Sequence, residues 1–314
     1  MNTKALSPIG ISTYKRTNHI KRTIEALKLN LLSKYSKLYI FSDAPKKGDE
    51  EEVHGLRKYV RTITGFESIS IIERETNNRT YNNRMGLKYL LEEYGKVIWL
   101  EEDIITTGGF LSFMNDALNY YKDDENILSI TGYCPPIKIR KMTRSDVFAL
   151  RRFNAWGFAT WGSKFDPYSF EIDPIESRKK MKQLRFLHRL NENGKDIPRM
   201  IKKEISHQID ALDVKVMYYQ NFHDMYTIYP VQSLVKNIGH DGTGIHCGNS
   251  TRFDVDLWTK THNFSFEKNI RPEKKIVKEN YKFRSNGVKD IIIDILDFLR
   301  IYNVIKALKV KILS

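Results

Sequence analysis

Alternating strand and helix patterns over the first 130 residues predict an α/β fold of mainly parallel, doubly wound sheet with helices on both faces. Three observations carry that expectation. Short aliphatic runs recur at 9–14, 38–41, 69–72, 97–100 and 127–131, and stretches with helical apolar spacing separate them. Several of the runs end abruptly in polar or acidic residues, as buried strands do where they reach water.

Ile9-Gly-Ile-Ser-Thr-Tyr14 reads as the first strand, and 17–32 as a helix with Ile20, Ile24, Leu27 and Leu31 on one side. Leu38-Tyr-Ile-Phe41 is the second strand, closed by Ser42-Asp43 and a charged loop, 46–52, before a helix to about residue 64. Ile69-Ser-Ile-Ile72 is the third, with a helix at 84–94; Val97-Ile-Trp-Leu100 is the fourth, with a helix at 110–121. After Ile127-Leu-Ser-Ile-Thr131 the alternation yields to an aromatic-rich stretch at 148–170, the pattern of a site-forming second half.

The last part differs again. Basic residues from Lys268 to Lys289 approach a helical pattern at about 288–313, whose apolar positions Val288, Ile291, Ile295, Leu299, Ile305 and Leu308 follow the helical period. Such a stripe suits packing on its own domain, contact with an anionic membrane surface, or a partner helix.

At 314 residues the chain can bury a large core, as one domain or two intimate ones. Lys plus Arg number 52 against 38 Asp plus Glu, a formal charge of +14 that favours an anionic partner: phosphate groups, a lipid surface or nucleic acid. No recognised basic-aromatic module supports nucleic acid, so that class is set aside. Cys134 and Cys247 stand far apart with no C-x-x-C, which fits a reducing compartment. The first residues lack the apolar core of a signal peptide and no run is long enough to span a bilayer. A cytoplasmic protein, peripheral at the inner face of the cell membrane if the tail binds lipid, is the expectation.

The segment Val97-Ile-Trp-Leu-Glu-Glu-Asp103 carries the most chemistry: an apolar run that ends in Glu101, Glu102 and Asp103. In α/β folds this is the carboxyl edge of the sheet, where ligands bind, and clustered carboxylates there suit a hard divalent cation with a diphosphate. An acidic strand-to-helix loop is the plain alternative. Arg16, after the first strand, offers a planar fork of donors to a phosphate or is a solvated loop residue. Asp43 can accept from a base or ribose, or start the turn at Ala44-Pro45. Arg79 and Arg84 lie in an Asn-rich run before a helix, a place to hold phosphate or sugar. Trp156 and Trp161, five apart around small residues, suit the C–H faces of a pyranose or the core.

Asp210 and Asp213 are spaced to share a helical face, and either could act as a general base; Asp213 leads into an apolar-aromatic run that favours partial desolvation. The glycine-rich stretch 235–247 includes His240, Asp241 and His246 and could fold over a ligand. No G-x-x-x-x-G-K-[ST] or dinucleotide fingerprint is present.

Taken together, Gly10-Ile-Ser-Thr-Tyr-Lys-Arg16, Tyr94-Gly-Lys-Val-Ile-Trp-Leu-Glu-Glu-Asp103, Trp156-Gly-Phe-Ala-Thr-Trp161 and the stretch from Tyr229 to His246 resemble the GT-A fold sugar-nucleotide glycosyltransferases. The likeness is to bacterial family-two-like sugar transferases of surface polysaccharide synthesis (lipopolysaccharide or capsule), and more distantly to the Golgi N-acetylglucosaminyltransferase that starts complex N-glycans. It spans most of residues 7–250. The resemblance implies that Glu101-Glu102-Asp103 stands for the D-x-D motif, with Asp103 touching Mn²⁺ or Mg²⁺; in the glycine-rich loop His240 or His246 could touch a metal or phosphate, and His246 is the candidate second metal contact. It implies that Arg16 and Asp43 lie around the nucleotide and that the segment after Tyr229 forms part of a mobile donor or acceptor loop; Arg79, Arg84, Glu101 and Glu102 are added as nucleotide-site candidates, and Trp156, Trp161 and Asp241 as sugar or acceptor contacts. Relatives commonly carry a Trp-Asp pair where this chain has Leu212-Asp213, so Asp213 is the expected base and Asp210 the reserve.

On this reading residues 1–130 are the nucleotide-sugar-binding half, 131–250 the acceptor and catalytic half of the same domain, and 251–314 a basic tail with an amphipathic helix. The expected activity is metal-dependent, inverting transfer of a hexosyl or N-acetylhexosaminyl group to a glycan or lipid-linked glycan. The alternative from another class is a non-catalytic sugar-nucleotide-binding or scaffold protein of a polysaccharide assembly complex.

Overall fold

A computed structural model describes residues 5–139, 142–242 and 250–285. His246 and the helical pattern expected at 288–313 lie outside the described residues. In chain order the elements are β1 (Ile9–Thr13), α1 (Thr17–Lys28), a 3-10 turn (Ser33–Tyr35), β2 (Lys37–Ser42), α2 (Glu50–Val60), β3 (Ser68–Glu73), α3 (Arg79–Tyr94), β4 (Lys96–Glu101), β5 (Ile104–Thr106), α4 (Phe110–Tyr121) and β6 (Ile127–Thr131). The second half adds β7 (Val147–Leu150), β8 (Phe158–Trp161), α5 (Pro174–Met181), α6 (Leu184–Glu192), α7 (Asp196–Ile205), α8 (Leu212–Phe222), β9 (Tyr226–Pro230), β10 (Val235–Asn237) and α9 (Lys274–Arg284).

Eight strands form one mixed, mostly parallel sheet in the order β3-β2-β1-β4-β8-β6-β9-β7, and β5 and β10 form a small antiparallel pair beside it. The first four large-sheet strands are parallel to one another; β8 enters antiparallel between β4 and β6. Both halves of the chain thus contribute to one sheet. Period-two alternation builds a core on each face. Ile9, Ile11, Leu38, Ile40, Ile98 and Leu100 pack with Ile20, Ile24 and Leu27 of α1, Leu56 of α2 and Phe110 and Phe113 of α4. Tyr39, Phe41, Val97 and Trp99 pack on the other side with Leu87 and Leu90 of α3 and with Phe186, Ile201 and Val216 of α6, α7 and α8.

The order β2-β1-β4 puts a topological switch between β1 and β4, since the chain leaves β1 toward β2 and returns to its other side. A crevice forms where successive connections diverge in this way. The loops after β1 and β4, carrying Arg16 and the three acids, flank it.

Four helix boundaries differ from the sequence expectation, the simplest being α2, which ends at Val60 and not near residue 64. Helix α1 stops at Lys28, leaving Leu31 71% exposed rather than on the apolar side. The chain turns at buried Asn30, whose amide donates to the Ala26 and Leu27 carbonyls and accepts from the Leu111 N–H at 2.9 Å. Helix α3 starts at Arg79, not 84, because the Asn78 side chain accepts from the Tyr81 N–H and caps it. Helix α8 starts at Leu212, so Asp210 precedes the helix and does not share a helical face with Asp213. Among the described residues no helix is long and apolar enough to cross a membrane.

Two glycines make room for one indole. A Cβ at Gly10 of β1 would lie 2.5 Å from the Trp99 ring, and one at Gly86 of α3 would also lie 2.5 Å from it. Gly10→Ala is therefore expected to lower stability by about 1–3 kcal/mol through overpacking. Urea denaturation checks it, and a change too small to resolve would mean that the Trp99 ring moves aside freely.

Candidate functional site

The crevice at the switch point holds a cavity of about 300 Å³, with Ser12, Tyr14, Arg16, Asp43, Arg79 and Asn82 among its lining residues. Glu101, Glu102, Asp103, Trp156, Asn237 and Gly239 complete much of its wall. One guanidinium organises the acidic side. Arg16 donates from Nε to Glu102 Oε1 at 2.7 Å and from Nη2 to Asp103 Oδ2 at 2.6 Å. The Tyr14 N–H occupies the other Glu102 oxygen at 2.6 Å. Burial works against the charge on Arg16, but Glu102 and Asp103 outweigh it and hold its pKa above the usual value. Arg16 Nη1 and Asp103 Oδ1 are buried without hydrogen-bond partners, one spare donor and one spare acceptor in the wall of the same cavity.

The glycine-rich stretch reaches this pair because β5 follows the acids directly and pairs with β10, setting Asn237 opposite Ile104. The Ile238 N–H donates to the Asp103 carbonyl at 2.9 Å. A Cβ at Gly239 would fall 2.1 Å from Asp103 Oδ2 and 3.1 Å from Arg16 Nη1, so only a glycine lets the backbone lie against the fork. Asp241 is exposed and meets His19 of α1, Oδ2 to Nε2, at 3.1 Å.

On the opposite side Asp43 is buried and fully engaged. Its Oδ1 accepts from the Ala44 and Asn78 N–H groups at 2.9 and 3.0 Å, and Oδ2 accepts from Asn77 Nδ2 at 3.2 Å. It thereby braces the start of α3, where Arg79 enters the cavity wall. Arg84, further along α3, turns to other acids: it donates to Glu171 at 3.3 Å and Asp210 at 3.4 Å. Asp210 also lies 3.1 Å from Lys215 Nζ. The tryptophans separate: Trp156 lines the cavity, while Trp161 is buried and donates its indole N–H to the Leu118 carbonyl at 3.2 Å.

Asp213, in the first turn of α8, belongs to the same electrostatic unit. Burial pushes Glu101 up to about 7, reinforced by Asp103, Glu102 and Asp213 and opposed by Arg79. Burial also raises Asp213, opposed by the Val214 backbone, Arg152 and Arg79. Asp213 itself is exposed to water at the start of α8. The cavity wall brings Arg16, Arg79, Glu101, Glu102 and Asp103 together; Asp213 does not line it and is linked to it through its charge on Glu101, while Asp210 and Arg84 are paired in a neighbouring network.

Two participants carry no sequence signal of their own strength. Asp49 receives Tyr14 Oη at 2.7 Å and Lys15 Nζ at 2.6 Å, folding the charged loop onto the end of β1. Nothing in a charged loop foretells a pairing across 34 residues. Buried Arg152 donates to Asp196 Oδ2 at 2.6 Å and to the Asn193 carbonyl at 2.9 Å beside the base candidate. A buried strand, β7, followed directly by Arg151-Arg152 is a weak hint that one of them is paired.

For a divalent ion the donor set is narrow. Among the described residues no group of three His, Cys, Asp or Glu side chains could hold one. The unpartnered Asp103 Oδ1, with Glu101 nearby, fits an ion that keeps its waters and is carried mainly by a bound diphosphate.

No family model matches the chain, and no curated protein matches it. Among solved structures it is similar to TarS of S. aureus (14% identity, TM-score 0.30, covering 45% of this chain and 23% of that one). It is also similar to the mannosyltransferase PcManGT of Pyrobaculum calidifontis in complex with GDP-Man and Mn²⁺ (10%, 0.35, 50% and 45%). A third is a cytidylyltransferase of Leptospira borgpetersenii (13%, 0.32, 54% and 66%). The chain spans less than two thirds of the length of each, and likenesses this slight say nothing of its chemistry.

The raised pKa of Asp213 has a signed consequence. The folded chain holds this proton more tightly than the unfolded one, so the contribution to stability is greatest at low pH and is lost as pH rises through the folded value. At neutral pH the ionised carboxylate opposes folding. Asp213→Asn should melt no lower than wild type at pH 7, and its melting temperature should gain relative to wild type between pH 4 and 7. A substantially lower melting temperature at pH 7 would mean that the carboxylate has a stabilising partner.

Proposed function

We propose that this protein is a glycosyltransferase that moves a sugar from a nucleotide-sugar donor to a hydroxyl of a glycan or lipid-linked glycan, with inversion. The observation that carries the reading is the meeting, in one cavity at the switch point, of the spare Arg16 Nη1 donor and the unpartnered Asp103 Oδ1, with Asp213 in the first turn of α8 acting electrostatically on Glu101 of the same wall. The resemblance of the four sequence stretches to GT-A glycosyltransferases supports the same reading.

In the proposed reaction Asp213 removes the proton from the acceptor hydroxyl as that oxygen attacks the anomeric carbon. The bond from that carbon to the β-phosphate oxygen breaks, and its electron pair leaves with the nucleoside diphosphate. Arg16, with its spare Nη1 donor, and Arg79, at the start of α3, offset the charge gathering on the diphosphate. Asp103 and Glu101 would hold a divalent ion, which when bound supplies further positive charge there. Arg79 and Arg152 lie near enough to Asp213 to favour its ionised form against burial, keeping it able to accept a proton. Trp156 presents an aromatic wall to the sugar, packed edge-on against Tyr133 at 4.7 Å.

Asp213→Asn is expected to reduce transfer by about a hundredfold or more while nucleotide binding persists, the scale of losing a general base. Asp210→Asn is expected to keep most activity, since Asp210 is already engaged by Arg84 and Lys215. Release of nucleoside diphosphate in the presence of acceptor measures both. The opposite ranking would move the base to Asp210, and equal, small effects would remove both from the chemistry.

A further inference from the structure

We propose that the corner between α5 and α6 docks on an anionic lipid bilayer, with Leu184 inserted among the headgroups and exposed basic side chains around it. This goes beyond the transfer reaction and does not depend on it.

Residues 177–191 contain six Lys and Arg and no Asp or Glu. Arg178, Lys179, Lys182 and Arg185 are exposed, and among the described residues none of the four makes an ion pair. An ordinary solvated helix face mixes signs, as α2 does with Glu50, Glu51 and Glu52 followed by Arg57 and Lys58. At the centre of the acid-free stretch Leu184 is 84% exposed. The inward side of α6 is already satisfied. Phe186 and Leu190 are buried, and Phe186 packs edge-on against Tyr218 of α8 at 6.0 Å. Leu184 therefore has no place in the core and stands at the first turn of the helix with cations on either side.

This combination distinguishes a bilayer from a soluble polyanion. Phosphates on any scaffold attract the basic residues, but only an acyl boundary offers Leu184 somewhere to bury apolar surface. Each Lys or Arg near an anionic membrane strengthens binding about fivefold, so that three of them together are worth about a hundredfold. Because α6 packs on α8, whose first turn carries Asp213, the docked corner and the catalytic crevice share one helical layer.

Sedimentation of the full chain with vesicles tests the proposal. Wild type should bind vesicles containing about one third phosphatidylglycerol, bind pure phosphatidylcholine vesicles far less, and lose affinity as salt rises. The triple variant Lys179→Gln, Lys182→Gln, Arg185→Gln should lose about a hundredfold in partitioning at low salt. Leu184→Ser should lose about tenfold while keeping the salt dependence, and heparin should compete without being affected by that substitution. All replaced side chains are exposed, so unchanged melting temperatures are expected alongside. The proposal is overturned if wild type does not bind the anionic vesicles, or if the triple variant binds them as wild type does. It is also overturned if Leu184→Ser binds as tightly as wild type, which would leave a general polyanion contact.

Discussion

The placement of Arg16 between Glu102 and Asp103 is the constraint on which the crevice depends. Three charges are drawn into a site where each is largely shielded from water, and removing one member of such a group costs about 3–5 kcal/mol because its partners are stranded. The arrangement ties the loop after β1 to the end of β4, across the switch point that the order β2-β1-β4 creates. Tyr14 adds a backbone donor to Glu102, and Thr23 of α1 donates to the Glu102 carbonyl at 2.7 Å. Strand β10 and Gly239 then close on the far side of Asp103. The fork leaves one donor, Arg16 Nη1, and one acceptor, Asp103 Oδ1, without partners in the cavity wall.

The rest of the site is arranged around that centre by ordinary packing. Trp99 fixes β1 and α3 relative to β4 through the two glycine slots, and Asp43 pins the start of α3, which delivers Arg79. On the other side of the crevice, Glu204 accepts from the Ala211 N–H at 3.0 Å and so sets where α8 begins. That boundary separates two similar carboxylates: Asp213 falls in the first turn of α8, and Asp210 falls outside the helix among Arg84 and Lys215.

The first half of the fold was legible because its strands alternate two cores with period two and its helices carry clear apolar stripes. The acids at the end of β4 were legible for the same reason: a buried run that stops in three carboxylates has to stop at the sheet edge. The entry of β8 antiparallel beside β4 was not, since Phe158-Ala-Thr-Trp161 is a four-residue run without a turn signal to give its direction. The end of α1 was hidden because Leu31 continues the helical spacing, while Asn30 ends the helix through tertiary bonds to Leu111. The partners of Asp49, Arg84 and Arg152 were hidden for a related reason: long-range ion pairs leave no local pattern.

The most direct measurement is the melting temperature of the protein across a panel of nucleoside diphosphates, with and without Mn²⁺. A ligand that binds only the folded chain at about a hundred times its dissociation constant stabilises it by about 2.7 kcal/mol. The account predicts a clear upward shift with at least one nucleoside diphosphate, larger with Mn²⁺, and none with the free nucleoside at the same concentration. No shift with any nucleoside diphosphate, with or without the ion, would contradict it.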